Sequence, residues 1–326
     1  MHTPLRIAVV GTNFISDRFL EAIRAVEGVE TVAVCSRERQ RAETYAKEQG
    51  VPHAFWDYGA LCASPLVDAV YLAVPNRYHA PYAREAMEAG KHVLVEKPIA
   101  LSVAELDGLL ELSRQRGVAL LEAMRPAFDP ALAILREHLP LLGKLRYARF
   151  EFSQYSSRYD AFRRGEVLRA FDPSYGNAAI MDIGVYALHM AMALLGKPLT
   201  VSAHCVKLAG DFEGMGCATL VYPDLLAQVN YAKIHPQAAP SVLVGEEGTL
   251  SFDRAPTPAE IILHLRGRDP AKIPFTPPKN NMIYEVEVFR DMIKRGEITH
   301  PSMETVRETL AVMDAIRLQG EIVFPQ

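Results

Sequence analysis

Five apolar runs of strand length alternate with helical stretches through residues 1–124, and this alternation limits the fold more than any other feature of the chain. Apolar residues at successive positions suit a strand that is covered on both faces, as in a parallel sheet between two helical layers. The runs cover residues 5–10, 29–35, 69–74, 92–95 and 119–123, with helical patterns at 17–25, 37–48 and 102–116. We therefore predict a doubly wound α/β domain at residues 1–124.

A different pattern begins near residue 125. Phe150 and Phe152 alternate with Arg149 and Glu151 in the period of a half-buried strand, and further strand runs lie at 200–207, 217–222, 227–232, 241–244 and 249–252. Strands that follow one another without helices predict an antiparallel sheet, interrupted here by one apolar helix over 178–195. Residues 125–326 are therefore a predicted α+β domain for substrate binding and oligomerisation. The helix pattern at 283–295 is expected to return to the first domain.

The composition favours a cytoplasmic protein whose partners are small molecules. The chain has 326 residues, 49% of them hydrophobic, and a formal charge of -4 from 35 Lys+Arg and 39 Asp+Glu. That balance, without long charged blocks, argues against nucleic acid and membrane surfaces as partners. The sequence has no apolar run of about 18 residues, so a membrane span is not predicted. It has no charged leader before an apolar segment, so export is not expected either. The four cysteines lack the spacing of a metal site or a disulfide framework, so no metal is expected.

The Glu96-Lys97-Pro98 segment places a charged side chain at the point where an apolar strand run ends. Ligands of parallel α/β sheets bind outside the carboxyl ends of the strands. Lys97 is therefore predicted to be a site residue. The alternative is a solvated lysine at the surface.

The loop after the first strand, which runs from Gly11 to Ser16, lies where a dinucleotide-binding loop belongs. It matches the G-x-G-x-x-G pattern only at Gly11. We expect Asn13 to take the left-handed conformation that glycine usually supplies, and the helix start at Phe14 and Ile15 to bind a pyrophosphate through its amides. A plain strand-to-helix turn is the alternative.

The second strand run ends in Cys35-Ser36-Arg37, where NAD-binding domains usually carry an acidic residue for the ribose 2′-hydroxyl. A hydroxyl followed by a guanidinium suits a 2′-phosphate, which Arg37 can hold through two charge-assisted hydrogen bonds. Ser36 and Arg37 therefore predict NADP(H) in preference to NAD(H). Alternatively, Arg37 only begins a solvated helix.

Several separate motifs together resemble the Gfo/Idh/MocA family of oxidoreductases over essentially the whole chain. They are the loop at Gly11, Ala73-Val74-Pro75-Asn76 with His79, Glu96-Lys97-Pro98, and an Asp-x-Gly-x-Tyr pattern at 182–186. The resemblance implies an N-terminal Rossmann domain and a C-terminal domain with a large open antiparallel sheet. It also implies that Pro75, Asn76, His79, Glu96 and Lys97 contact the cofactor, and that the protein is a homo-oligomer, either a dimer or a tetramer.

The same resemblance implies NAD(P)-dependent redox chemistry on sugars, cyclitols or related diols. Tyr186 stands where many members, including inositol dehydrogenases, carry histidine. Tyrosine there is similar to the glucose-fructose oxidoreductase and dihydrodiol dehydrogenase branches, so the resemblance favours these over an inositol dehydrogenase. The second departure from the family pattern is Asn13, which replaces the usual second glycine of the loop.

Hydride transfer at a carbinol carbon requires a group that takes or gives the hydroxyl proton. Tyr186 is the first candidate, and Lys97 is expected to stabilise its phenolate and to bond the substrate hydroxyl. The spacing of Asp182, Tyr186 and His189 predicts that all three lie along one helix face. Asp182 would orient the substrate or Lys97, or would only satisfy amides at a helix start.

Some assignments stay open at this point. His189 is an alternative acid/base or a core histidine, and Arg163 and Arg164 either reach the substrate or belong to a solvated loop. The sequence therefore predicts an NADP(H)-dependent dehydrogenase or reductase. The competing predictions are a cofactor-binding sensor without turnover, and an enzyme acting on a non-sugar carbonyl such as a tetrapyrrole or quinone.

Overall fold

The structure is a computed structural model that describes residues 3–166 and 168–325. The chain divides into two compact units. The first unit contains the residues up to Met124 together with Lys279–Met303, and the second contains Arg125–Pro278 together with the residues from Glu304 onward.

A six-stranded parallel sheet forms the centre of the first unit. Its strands are β1 (Leu5–Val10), β2 (Val29–Cys35), β3 (His53–Phe55), β4 (Ala69–Leu72), β5 (His92–Glu96) and β6 (Leu120–Ala123). Their order in the sheet is β3-β2-β1-β4-β5-β6, and every neighbouring pair is parallel. Successive strands are added on one side of β1 up to β3 and on its other side from β4 onward, and this change of side confirms the doubly wound fold.

Helices cover this sheet, as its apolar strands require. They are α1 (Phe14–Ala25), α2 (Arg39–Gln49), α3 (Tyr58–Ala63), α4 (His79–Glu88) and α5 (Val103–Arg116). All four residues of β4 and of β6 are buried, which explains why both strands are apolar except at Glu122. The sequence analysis missed β3, because three residues at a sheet edge are too short to show a period.

An eight-stranded sheet forms the centre of the second unit, together with the short helices α6 (Arg125–Phe128), α7 (Pro130–His138) and α8 (Tyr159–Arg163) and the longer α9 (Val185–Leu195). Its strands are β7 (Leu145–Ser153), β8 (Thr200–Lys207), β9 (Glu213–Val221), β10 (Leu226–Ala232), β11 (Ser241–Gly245), β12 (Gly248–Phe252), β13 (Ile261–Leu265) and β14 (Ala271–Lys272). Helix α10 (Met282–Arg295) packs on α1 within the first unit, and α11 (Ser302–Gln319) follows it.

The order of this sheet is β14-β13-β12-β11-β7-β10-β9-β8. The prediction of antiparallel pairing is correct for every neighbouring pair except β7 and β10, which are parallel. The chain passes through α9, β8 and β9 before it returns beside β7, and this long crossover permits parallel pairing. The carboxyl ends of β7 and β10 therefore meet at one edge of the sheet, where Ser153 pairs with Ala232.

The predicted single helix over 178–195 is interrupted by a π-helical turn at Ile180–Gly184, followed by α9. The turn packs against the ring of Tyr231, and a Cβ at Gly184 would lie only 2.9 Å from that ring. Asp182 lies in this π-helical turn and Tyr186 lies in α9. The expectation that one regular α-helix carries both residues is therefore wrong at Asp182. A π turn within a helix often marks a functional site.

Candidate active site

Gly11 brings the loop after β1 into close contact with the end of β4. Its φ is +113°, and a Cβ added there would lie 2.3 Å from the carbonyl oxygen of Ala73. Only glycine fits this position, because a side chain would clash with backbone and would strain the φ angle. The loop backbone is therefore held directly above the strand ends.

Asn13 does not take the expected left-handed conformation. Its φ of -120° and ψ of 176° are extended, and its Oδ1 accepts hydrogen bonds from the amides of Ile15 and Ser16 at 3.0 and 3.3 Å. Asparagine is among the most favoured N-cap residues, and capping requires an extended backbone, so capping determined its conformation. The Asn13 Nδ2 also donates to the carbonyl oxygen of Ala73 at 2.7 Å. Of the two amides expected to face a phosphate, that of Ile15 thus already has a partner.

Two arginines lie near the carboxyl end of β2. Arg37 is exposed and has no carboxylate partner in the described part of the chain. It lies two residues before Arg39, the first residue of α2, so its predicted contact with a 2′-phosphate and the alternative of a solvated residue at the helix start both stay predictions. Arg41 donates to Thr12 of the glycine loop, through Nε to the hydroxyl at 2.6 Å and through its terminal nitrogen to the carbonyl oxygen at 3.0 Å.

His79 fixes the position of the loop after β4 through contacts of its two ring nitrogens. Pro75 precedes a 3-10 turn at Asn76–Tyr78, and His79 begins α4 with only 1% of its surface exposed. The Nδ1 of His79 lies 2.7 Å from the carbonyl oxygen of Pro98, and Nε2 lies 2.8 Å from that of Val74. Burial lowers the pKa of His79 to about 4, and the two carbonyl acceptors oppose that shift because a neutral ring could donate to only one of them. His79 therefore links the loops that follow β4 and β5.

Lys97 follows β5 and is partly exposed, and the Lys97-Pro98 bond is cis. The neighbouring Glu96 carboxylate is 8% exposed and turns inward, where it accepts from the Tyr71 hydroxyl at 2.5 Å and from the Lys97 amide at 3.2 Å. These contacts position the backbone that carries Lys97. A direct contact of Glu96 or His79 with a cofactor stays a prediction.

A second buried carboxyl group lies beside this segment. Glu122 of β6 is 2% exposed, and its Oε1 accepts from the Ile99 amide at 2.8 Å. Burial raises the pKa of Glu122 to about 7, and the carboxylate of Glu96 adds to the rise while Lys97 opposes it. Its Oε2 has no protein partner within the described residues. A carboxyl group that is protonated near neutral pH thus lies next to Lys97.

Tyr186 lies on α9 and is 6% exposed. A terminal nitrogen of Arg125 donates to its hydroxyl at 3.1 Å, and the Arg125 guanidinium carbon lies 5.5 Å from its ring centre. Phe152 meets the same ring edge-on, with centroids 5.7 Å apart. Within this unit the cation beside the phenol is therefore Arg125. Stabilisation of the phenolate by Lys97 stays a prediction.

Asp182 projects from the π turn toward the end of β10. Its Oδ2 lies 2.8 Å from Nζ of Lys233, and the side chains of the pair are 43% and 5% exposed respectively. The carboxylate is accessible while the ammonium is buried. Asp182 is the acidic residue in the first turn of this segment, so its predicted role at a helix start and its predicted role toward the substrate both stay predictions.

His189 is 1% exposed, and burial lowers its pKa to about 3, with Arg136 adding to the effect. Its Nδ1 has no protein partner among the described residues, so the expected backbone bond is absent at that atom. Arg163 and Arg164 are exposed and interact with Asp160 and Glu166. These features favour a core position for His189 and a solvated loop for both arginines.

A cleft of about 630 Å³ opens at the carboxyl end of β7. Polar and apolar side chains share its lining, which comprises Arg125, Phe152, Ser153, Gln154, Gln237, Ala238, Ala239, Arg254, Pro256 and Thr257. Two of these residues, Arg125 and Phe152, also contact Tyr186. The cleft therefore lies beside the two residues that hold the phenol, and its polar side chains can bond a hydroxylated small molecule.

The sequence analysis missed Arg125, Arg41 and Lys233. Lys233 directly follows β10, whose residues alternate between exposed and buried, and Arg125 follows the buried β6 after one intervening residue. Each therefore carries a weaker form of the signal that pointed to Lys97. Arg41 had no comparable signal, because it lies among other charged residues on the exposed face of α2.

Two family models match this sequence, and together they define the class of protein and its family. A profile described as "Oxidoreductase family, NAD-binding Rossmann fold" matches residues 5–124, and one described as "GFO/IDH/MocA C-terminal domain" matches residues 141–251. These matches define an NAD(P)-dependent oxidoreductase. The chain belongs to the Gfo/Idh/MocA family.

Individual relatives span the whole chain. It is 38% identical to the scyllo-inositol 2-dehydrogenase (NADP(+)) IolU of Bacillus subtilis over 98% of both chains. It is 26% identical to the trans-1,2-dihydrobenzene-1,2-diol dehydrogenase of Mus musculus, over 99% of this chain and 98% of the relative. The solved structure of KijD10, a 3-ketoreductase from Actinomadura kijaniata with NADP and TDP-benzene, has a TM-score of 0.86 at 26% identity, covering 97% of this chain and 98% of that one.

No helix in the described ranges combines the length and apolar character of a membrane span. Within the same ranges, no three His, Cys, Asp or Glu side chains are grouped as metal ligands would be.

Proposed function

We propose that this protein is an NADP(H)-dependent dehydrogenase or reductase that interconverts a hydroxyl and a carbonyl group on a cyclitol, a sugar or a related diol. The observation that carries the proposal is the phenol of Tyr186, held by Arg125 beside a polar cleft. The NADP(+)-dependent inositol dehydrogenase is more similar in sequence than the diol dehydrogenase. Tyr186 alone therefore does not argue against a cyclitol substrate.

The residues at the ends of β1 and β2 fit a dinucleotide phosphate. The glycine loop is held close to the strand ends by Gly11, and an exposed guanidinium, that of Arg37, follows Ser36. Ser36 and Arg37 would hold a 2′-phosphate, and the loop from Gly11 to Ile15 would hold the pyrophosphate. Pro75 and Asn76 would complete the nicotinamide side. When bound, the nicotinamide supplies or accepts the hydride.

The chain's own side chains then handle the proton and the substrate orientation. Tyr186 exchanges the proton of the reacting hydroxyl, and the Arg125 guanidinium stabilises negative charge on the phenol oxygen. Lys97 donates to the oxygen of the reacting carbon. Asp182 accepts a hydrogen bond from a substrate hydroxyl. Because Arg125 is a permanent cation, it supports the phenolate at every pH at which the protein is folded.

Fluorescence titration of the purified protein with NADPH and NADH tests the cofactor first. The binary complex is then screened for turnover with inositols, aldoses and trans-diols by the absorbance of reduced nicotinamide, with Tyr186→Phe as the control. We expect NADPH to bind more tightly than NADH and at least one polyol to be oxidised only by the wild type. Absence of cofactor binding contradicts the proposal, and binding without turnover on any substrate favours the sensor.

A further inference from the structure

Lys233 is a buried cation whose only close carboxylate within the described residues is partly accessible. Its Nζ lies 2.8 Å from Oδ2 of Asp182 and 3.0 Å from the carbonyl oxygen of Ala170. The ammonium also lies above the rings of Phe171 and Phe212, at 5.1 and 5.6 Å from their centres. Lys233 is thus enclosed by two aromatic faces, one carbonyl and one carboxylate.

These surroundings favour a charged Lys233. An ammonium that is removed from water is costly unless it is paired, and each of these contacts compensates part of that cost. The exposures of 5% for Lys233 and 43% for Asp182 show that the pair is asymmetric. Its buried member is the cation, and its accessible member is the acceptor. Such an arrangement presents a carboxylate whose position and charge are set from within the protein.

The backbone beneath Asp182 is fixed as well. Glu213, at the start of β9, accepts a hydrogen bond from the Ile180 amide at 2.9 Å, at the first residue of the π turn. Gly184 ends the turn against the ring of Tyr231. The turn is therefore held at both ends, and Lys233 holds the side chain that projects from its middle.

We propose that Lys233 is a positioning residue that keeps Asp182 ionised and oriented to accept a hydrogen bond from a substrate hydroxyl. This inference rests on the proposed function, in which Asp182 contacts the substrate. Lys233 itself does not touch the reacting atoms and acts only through Asp182. Its removal leaves Asp182 in place but without its fixed rotamer and without the charge that favours ionisation.

Several other titratable groups lie on the elements that pack against this turn, among them Glu213 of β9, Tyr231 of β10, Glu151 of β7, and Tyr186 and His189 of α9. Glu151 accepts from the hydroxyl of Ser153 at 2.8 Å, and His189 is neutral because burial lowers its pKa to about 3. Burial raises the pKa of Glu213 to about 7, and Lys233 opposes that rise. Of these acidic groups, Asp182 is the one in direct contact with Lys233.

Steady-state kinetics with a polyol substrate should compare the wild type with Lys233→Met, Lys233→Arg, Asp182→Asn and the double variant Lys233→Met/Asp182→Asn. Methionine matches the apolar stem and suits the aromatic surroundings, so the fold is retained. We expect Lys233→Met to raise KM for the polyol by roughly ten- to a hundredfold, the range of a lost hydrogen bond to a charged group. KM for NADPH should not change. The acid limb of the pH profile should move to higher pH, and Lys233→Arg should recover part of the loss.

The double variant decides whether Lys233 acts through Asp182. We expect it to be no slower than Asp182→Asn alone, because the charge has nothing left to position. The inference is overturned if the kinetic losses of the two single variants multiply in the double variant, or if the polyol KM of Lys233→Met is unchanged. Lys144 forms an exposed pair with Asp224 at 2.9 Å in the same unit, so Lys144→Met is the matched control that should leave the kinetics unchanged.

A second measurement needs no turnover. The carboxylate of Asp182, labelled with carbon-13, is followed by NMR against pH in the wild type and in Lys233→Met. Its titration should move to higher pH in the variant by at least about one unit, as expected when a cation in contact is removed. An unchanged titration refutes the inference even if no substrate is found. A wild type without turnover whose Asp182 titration does respond contradicts only the proposed function.

Discussion

Arg125 donates a hydrogen bond to the hydroxyl of Tyr186 at 3.1 Å, and both residues belong to the same compact unit. The donor is the first residue of α6, and the acceptor lies on α9. A permanent cation therefore faces the phenol before any ligand arrives. This contact provides a source of phenolate stabilisation that the sequence analysis had assigned only to Lys97.

We expect Arg125→Met to lower kcat/KM by roughly ten- to a hundredfold, because the variant loses a charge-assisted hydrogen bond to the group that exchanges the proton. NADPH binding should not change. Steady-state kinetics and a fluorescence titration with NADPH provide the two values. Arg146 forms an exposed pair with Glu246 at 2.6 Å in the same unit, and Arg146→Met should match the wild type. An unchanged kcat/KM in Arg125→Met would exclude this role.

Arg37 and Arg41 should affect cofactor binding differently. Arg37 has no carboxylate partner and is proposed to hold the 2′-phosphate, so Arg37→Ala should weaken NADPH by about ten- to a hundredfold and leave NADH unchanged. Arg41 is tied to Thr12 of the glycine loop. Arg41→Ala should therefore weaken both cofactors, because it loosens the loop that both use.

Fluorescence titration with each reduced cofactor measures these affinities. Arg39 is the matched control, because it pairs with Glu43 at 2.8 Å and lies over the ring of Trp56. Arg39→Ala should leave both affinities near those of the wild type. Equal losses of NADPH and NADH in Arg37→Ala would show that Arg37 does not select the cofactor.

Gly184→Ala should destabilise the protein through the π turn. The added Cβ would lie 2.9 Å from the ring of Tyr231, which is itself 1% exposed and cannot move freely. Overpacking of this kind costs about 1–3 kcal/mol, which denaturant unfolding resolves. The same change also shifts the segment that carries Asp182, so KM for the polyol should rise.

Gly108→Ala is a control for which we expect no loss of stability. Gly108 lies inside α5, and a Cβ there meets only the mobile end of the Arg84 side chain at 3.3 Å. Alanine is favoured over glycine in a helix by up to about 1 kcal/mol, so this variant should be as stable as the wild type or more stable. Equal stability of both variants would show that the turn tolerates a larger spacing from Tyr231.

The fold was predictable from sequence because the parallel sheet is buried on both faces. β1 and β2 begin and end where their apolar runs do, and both are strongly buried at their carboxyl ends. In β7 the alternation that predicted a half-buried strand fails at Glu151, which is 7% exposed. Its carboxylate is satisfied by Ser153, a contact that no period in the sequence reports.

The site was only partly predictable. The sequence analysis could propose Lys97 as a site residue because a charged residue after an apolar strand is a local signal. The π turn depends on the approach of Gly184 to Tyr231, and the Asp182–Lys233 pair joins residues about fifty positions apart. Both follow from tertiary packing, which overrides local spacing. Asn13 is different, since its preference for helix caps was a local signal that pointed away from the left-handed conformation.

Glu122 should make the protein less stable as the pH rises through neutrality. Its pKa is raised from 4.5 in the unfolded chain to about 7 in the folded state, chiefly by burial. The folded state therefore binds the proton more tightly, and the stabilising contribution is complete below pH 4.5 and is lost as the pH rises through 7. A shift of this size corresponds to about 3 kcal/mol at most, so its effect should be measurable.

Glu122→Gln tests this directly, because the amide keeps an acceptor for the Ile99 amide and cannot ionise. We expect the variant to gain stability relative to the wild type between pH 5 and pH 8, as measured by urea unfolding at each pH. Glu213 also has a pKa raised to about 7, but it is present in both proteins and cancels in the difference. Glu88→Gln, at an exposed position of α4, should show no such trend. If the difference between Glu122→Gln and the wild type stays constant with pH, then Glu122 is already ionised in the folded protein at pH 5, and the buried carboxyl group beside Lys97 is not a proton carrier near neutral pH.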